Sequence, residues 1–146
     1  MAFGKNLFIF WGYFFLMMTS SPLKAQVSQL LPWHNWNSTL NCPIAHYYTP
    51  KRPQDIPTSG GPYRIVGAGH SWNVASCLFK GVISTKNFTK PPHLFKSGHD
   101  IIVETGAGIL LKDLLIFLEK NGRTLETFPN FPTVTIGGAV ATASHG

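Results

Sequence analysis

A short apolar strand that runs straight into two glycines and a histidine constrains this chain more than any other stretch. Tyr63, Arg64, Ile65 and Val66 carry the aromatic and β-branched side chains of a buried strand. Gly67, Ala68, Gly69 and His70 follow at once, and Ser71, Trp72 and Asn73 complete the run. Glycines at this spacing let the backbone bend with φ > 0 or pass close to another segment. Successive N–H groups in such a bend form an anion-binding concavity. His70 is therefore either a packed, hydrogen-bonded histidine in a tight turn or a group beside a phosphate-bearing ligand. The dinucleotide fingerprint G-x-G-x-x-G is not met: its third glycine falls at Trp72, and the next acidic residue is Asp100.

At 146 residues, with 44% hydrophobic and 13% aromatic content, the chain is long and apolar enough for one domain with a real core. Part of that content lies in a leader. Lys5 precedes the apolar run Leu7 to Met18, and small and polar residues lead on to Pro22, Leu23, Lys24, Ala25 and Gln26. The pattern predicts a secretory signal over residues 1–25, since the run is short for a membrane span of about 20 residues. The expected chain is secreted or extracytoplasmic, without a stable membrane span once the signal is cleaved. The alternative is an uncleaved N-terminal anchor, because Leu23 is larger than the small residue such cleavage sites favour.

Removal of the leader takes Lys5 and Lys24 with it, so twelve basic residues become ten against six acidic ones, and the net charge falls from +6 to +4. The remaining bases are scattered, which gives no nucleic-acid stripe. Cys42 and Cys77 are either one disulfide that tethers the N-terminal arm or two buried thiols. Asn37-Ser38-Thr39 and Asn87-Phe88-Thr89 are glycosylation sequons, meaningful only in a eukaryotic secretory pathway.

Residues 26–61 read as an irregular arm, rich in Pro, Asn, Trp and His, with one short strand near Ala45 to Tyr48. From residue 62 onward strands and a helix alternate. Strands are predicted over Gly81 to Thr85, Asp100 to Thr105 and Arg123 to Leu125, with Pro91 and Pro92 marking a loop. Leu110, Leu111, Leu114, Leu115 and Leu118 recur at helical spacing after Gly106-Ala107-Gly108, and Asn121-Gly122 ends the helix.

The final segment, Pro129 to Gly146, is a second run of glycine and small residues. Small side chains let backbone amides and hydroxyls approach a ligand, and Thr135, Thr142 and Ser144 add hydrogen-bonding groups. A tightly packed helix or turn explains the same composition.

Three stretches in order resemble one family. They are Val66 to Ser71, the strand and helix from Val103 to Gly122, and Thr135-Ile136-Gly137-Gly138-Ala139-Val140-Ala141-Thr142-Ala143-Ser144-His145-Gly146. Together they resemble the start of the PCMH-type FAD-binding domain of the vanillyl-alcohol oxidase type, most closely in its sugar-lactone and alditol oxidases. The resemblance covers residues 62–146 and implies an α+β fold, the N-terminal α/β subdomain of such a domain, incomplete at Gly146. The chain is accordingly read as the N-terminal part of an oxidase.

The resemblance implies that Ile65, Val66, Gly67, Ala68, Gly69, His70 and Ser71 wrap the FAD pyrophosphate, with His70 as the covalent attachment point. Pro132, Val140, Ala143, Ser144, His145 and Gly146 would surround the flavin, and Thr135 would sit near the substrate as a catalytic hydroxyl. The implied reaction is oxidation of a sugar-derived alcohol or an aldonolactone such as an arabinonolactone, with electrons passing to oxygen or another acceptor. The rival reading is a secreted, non-catalytic interaction module built on the same fold.

Two departures from the family pattern stand out. Relatives carry an amphipathic helix before the first glycine turn, whereas Pro50, Pro53 and Pro57 here forbid a normal one. Ala143-Ser144 replaces the usual Gly-Thr before His145-Gly146. Other chemistries rank low. No H-E-x-x-H or paired Cys-x-x-Cys spacing suggests zinc, Asp113 and Glu119 read as surface charges, and Ser71 lacks the G-x-S-x-G elbow.

Overall fold

The computed structural model describes residues 31–146. The expected signal at 1–25 lies outside the described residues. Within them no helix is long and apolar enough to cross a membrane.

The first elements are a hairpin. β1 (Leu31–His34) and β2 (Asn41–Ile44) pair antiparallel, with Trp33 opposite Cys42 and His34 opposite Asn41. β3 (His46–Tyr48), β4 (Tyr63–Val66) and β5 (Gly81–Ser84) form a parallel sheet in the order β3-β5-β4. β5 lies in the middle, and all four of its residues are buried, as expected for a central parallel strand covered on both faces. β6 (His93–Ser97) and β7 (Asp100–Glu104) make a separate antiparallel pair. Two helices follow, α1 (Leu111–Lys120) and α2 (Ile136–Ala141).

The core joins the hairpin to the parallel sheet. Trp33, Cys42, Ile44 and Val82 are buried together, and Leu40, Val66 and Cys77 pack against them. Cys42 and Cys77 form a disulfide with their Cα atoms 4.9 Å apart, closing 35 residues of chain. The open alternative of free thiols is thereby settled. Cys77 ends a 3₁₀ turn, Val74–Cys77, that begins just beyond the glycine bend.

The leucine spacing builds α1 as its periodicity dictates. Leu111, Leu114 and Leu118 are buried along one stripe, while Lys112, Asp113, Ile116 and Glu119 are exposed. The helix stops where Gly122 takes φ +64° and the N–H of Arg123 returns to the carbonyl of Leu118 at 2.9 Å. That bond also accounts for one correction: Arg123 to Leu125, expected as a strand, has no regular structure.

The arm differs as well. Residues 31–61, expected to be irregular apart from one strand, carry β1, β2 and β3. Pro32 and Pro43 broke the strand pattern in the sequence, but they lie opposite one another and exposed on a two-stranded ribbon, where a missing outward donor is tolerated. β6 was also not anticipated, since four of its five residues are exposed and give no alternation. The connection from β3 to β4 holds only a 3₁₀ turn at Pro53–Asp55, closed by an Arg52–Asp55 ion pair at 2.7 Å. No helix covers β4 from that connection, and Ile65 is 61% exposed.

Candidate functional site

The glycine bend leaves β4 at Val66, whose carbonyl accepts the N–H of Thr85 at 3.0 Å. Its two glycines serve different ends. Gly67 passes so close to α2 that a Cβ on it would overlap the Thr135 hydroxyl. Gly69 has φ +75°, and its carbonyl accepts the N–H of Trp36 at 2.9 Å. Among the described residues, no protein acceptor takes the N–H groups of Gly67 to Ser71. Half-buried and unspent, these donors suit an anion.

The small-residue segment meets the bend where Gly67 abuts Thr135, and a backbone bridge ties it to the turn before α1. Leu110 pairs with Thr135, and the N–H groups of Ile136 and Gly137 bond to the carbonyls of Ile109 and Ala107 at 2.9 Å each. Thr135 then caps α2: its Oγ1 accepts the N–H of Gly138 at 3.2 Å, and the residue is 4% exposed.

His70 is held from three directions. The Trp36 indole stacks on its imidazole with centroids 4.7 Å apart and planes inclined by 20°. The Thr133 hydroxyl lies 3.0 Å from Nε2, and the Phe131 ring is tilted at 6.1 Å. Trp36 arrives through the loop of the β1–β2 hairpin. Asn35, 4% exposed, organises that loop: its Oδ1 accepts the Leu40 N–H at 2.8 Å, and its Nδ2 donates to Thr39 Oγ1 at 3.1 Å and to the Ser71 carbonyl at 3.3 Å.

These segments enclose an open groove of about 620 Å³. Ile65, Val66, Gly67, Ala68, Gly69, His70 and Ser71 line it together with Thr135, Gly138, Ala139, Ala141, Thr142 and Ser144. Among the described residues, Arg64 is the one charged side chain of the lining, stacked over Phe79 at 5.7 Å. A described lining with one cation and no carboxylate favours an anionic ligand. Polyphosphate along the bend and a planar ring system against the small residues both match this lining, so the groove fits FAD.

The other expected flavin neighbours lie off the groove wall. Pro132 gives its carbonyl to the N–H of Lys112 at 2.9 Å, Val140 is 77% exposed, and Ala143 takes φ +47° just after α2. His145 is exposed, and the Gly146 N–H reaches Thr127 Oγ1 at 3.4 Å. Sequence reasoning missed Trp36, Asn35 and Thr133 as partners of the bend. Nothing local marks them, because each meets it only through the tertiary fold.

A family model described as FAD binding domain matches residues 54–146. L-gulonolactone oxidase of Mus musculus is 28% identical over 120 residues, which cover 77% of this chain and 27% of that protein. A long-chain alcohol oxidase of an uncultured marine euryarchaeote is 32% identical over 104 residues, covering 68% of this chain and 22% of the relative. The crystal structure of cholesterol oxidase from B. sterolicum superposes on 80% of this chain and 24% of its own with a TM-score of 0.67 at 21% identity. The chain thus spans about a quarter of the length of the proteins it matches. With the amides of the glycine bend free of acceptors among the described residues, the small residues lining the same groove and the family match over both, this chain belongs to the PCMH-type FAD binding domain family, of which it spans the N-terminal part.

Proposed function

We propose that the protein is an FAD-dependent oxidase of a sugar-derived alcohol or aldonolactone, with FAD bonded covalently to His70 and electrons delivered to dioxygen or another acceptor. The observation that carries the reading is the placement of His70. It stands at the end of a bend whose amides have no acceptor among the described residues, its ring face covered by Trp36 and its Nε2 engaged by Thr133. The two relatives named as oxidases of a gulonolactone and of long-chain alcohols support oxidation at an alcohol-type carbon.

In this reading the N–H groups of Gly67 to Ser71 bind the pyrophosphate, and Arg64 adds a positive charge to the same wall. With its proton on Nε2 and given to Thr133, the imidazole keeps the Nδ1 lone pair free to form the bond to the flavin's ring methyl carbon. Thr135 spends one acceptor site on capping α2, which leaves its O–H to donate toward a ligand in the groove. Bound FAD supplies the acceptor for hydride removal. We further propose that residues 1–25 are a cleaved signal and that the mature protein is secreted.

The deciding experiment is acid precipitation of the intact protein after expression with FAD. A yellow chromophore that stays with the precipitate and disappears in His70→Ala supports the reading; wild-type protein that releases all its flavin sinks the covalent bond. Oxygen uptake on a panel of aldonolactones, alditols and long-chain alcohols then assigns the substrate class, and N-terminal sequencing tests the signal.

A further inference from the structure

We propose that the loop of the β1–β2 hairpin is the positioning element for His70, with Trp36 as the residue that fixes the plane of its imidazole. The proposal rests on reading His70 as the FAD attachment point. Trp36 is 56% exposed and takes no part in the core, so its indole is not there to fill the interior. Its ring stacks on the imidazole, and its N–H holds the Gly69 carbonyl at 2.9 Å. One residue thus grips the residue before His70 through the backbone and His70 itself through the side chain. Asn35 grips the residue after it, through the Ser71 carbonyl at 3.3 Å.

The grip is itself anchored. Trp33 and Cys42, directly opposed in the hairpin, are buried in the core. The Cys42–Cys77 disulfide then ties β2 to the 3₁₀ turn beyond the bend. A side chain on a half-open wall would otherwise sample several rotamers, and only a fraction would present the nitrogen to a ligand.

What the imidazole is positioned for balances as follows. His70 forms one N–C bond to the ring methyl carbon of FAD; one methyl C–H and one imidazole N–H bond are broken. The two protons and two electrons released pass to dioxygen, which becomes hydrogen peroxide. Trp36 and Asn35 exchange neither protons nor electrons in this step.

The test uses the intact, oxidised protein and compares wild type with Trp36→Ala, Trp36→Leu and Trp36→Phe. An aromatic pair is worth about 0.5–1.5 kcal/mol, which at 1.36 kcal/mol per decade slows covalent attachment about 2- to 13-fold in Trp36→Ala. Trp36→Leu, which keeps apolar bulk without a stacking face, is expected to fold and to be slowed equally, and Trp36→Phe to restore most of the rate. In the flavin-free protein the His70 ring protons should lose their upfield ring-current shift in the Ala and Leu variants and regain it in Phe. Attachment at wild-type rate in both Ala and Leu variants overturns the proposal. If wild-type protein binds FAD without a covalent bond, the reading of His70 as attachment point fails. The positioning role is then judged on the ring protons alone, and His70 signals unmoved by Trp36→Ala and Trp36→Leu overturn it.

Discussion

The contact between the glycine bend and the cap of α2 can be tested as a coupled pair. Gly67 does not have positive φ, so alanine there is disfavoured only by the overlap of its Cβ with Thr135 Oγ1. Overpacking of this kind costs about 1–3 kcal/mol. Thr135→Ala alone removes the side chain that caps α2 and leaves the Gly138 N–H without its acceptor, a loss of about 1 kcal/mol. In the double variant the offending oxygen is gone. The new Cβ then faces the Thr135 Cβ position at 3.2 Å, which a shift of a few tenths of an ångström relieves. The two changes should therefore not add: the double variant should be more stable than the sum predicts, by about 1–2 kcal/mol. Urea unfolding of the four proteins, followed by tryptophan fluorescence, measures this directly. Additivity within about 0.5 kcal/mol would show that the bend and α2 do not touch, and the groove as built from them would fall with it.

Three further outcomes follow from the packing. Reducing the Cys42–Cys77 bond, or replacing both cysteines by serine, should lower stability by about 3–4 kcal/mol, the loop-closure value for 35 residues, as read from the urea midpoint with and without reductant. Leu114→Ala, on the buried stripe of α1, should cost about 2–5 kcal/mol, whereas Ile116→Ala, at a 49% exposed position, should stay within about 0.5 kcal/mol; equal losses would contradict the assigned face. Lys90 donates to Glu104 at 2.6 Å and holds its carboxyl below the ordinary value of 4.5. A depressed carboxylate stabilises the fold above its unfolded pKa and loses that contribution as pH falls through the folded one. The small deficit of Glu104→Gln at neutral pH should therefore close progressively below pH 4.5, and a deficit unchanged in acid would refute the ion pair.

Much of the second half was legible because its signals are local. The leucines of α1 repeat within two turns of helix, Gly122 marks its end, and the strands at Tyr63, Gly81 and Asp100 each carry their own apolar run. The first half was harder for a physical reason. β1 and β2 are four residues each, proline interrupts both, and their stability comes from Trp33 and Cys42 packing on Val82, some forty residues away. Arg123 to Leu125 misled in the opposite sense, since a short run resembling a strand was claimed by the end of α1.

The linear sequence by itself determined that a strand must break at Gly67 and Gly69, that His70 follows the break, and that a second small-residue run lies at a family-like distance beyond α1. Those are properties of neighbouring residues, and steric rules act on neighbours. Only the tertiary structure decided what surrounds His70. Trp36 is 34 positions before it, Thr133 is 63 after it, and neither residue carries a mark of that role until the hairpin folds over the bend and the Leu110–Thr135 bridge brings α2 against it. Stacking and hydrogen bonding depend on position in space, and position in space is set by the packing of Trp33, Cys42 and Val82 and by the Cys42–Cys77 bond rather than by any local pattern.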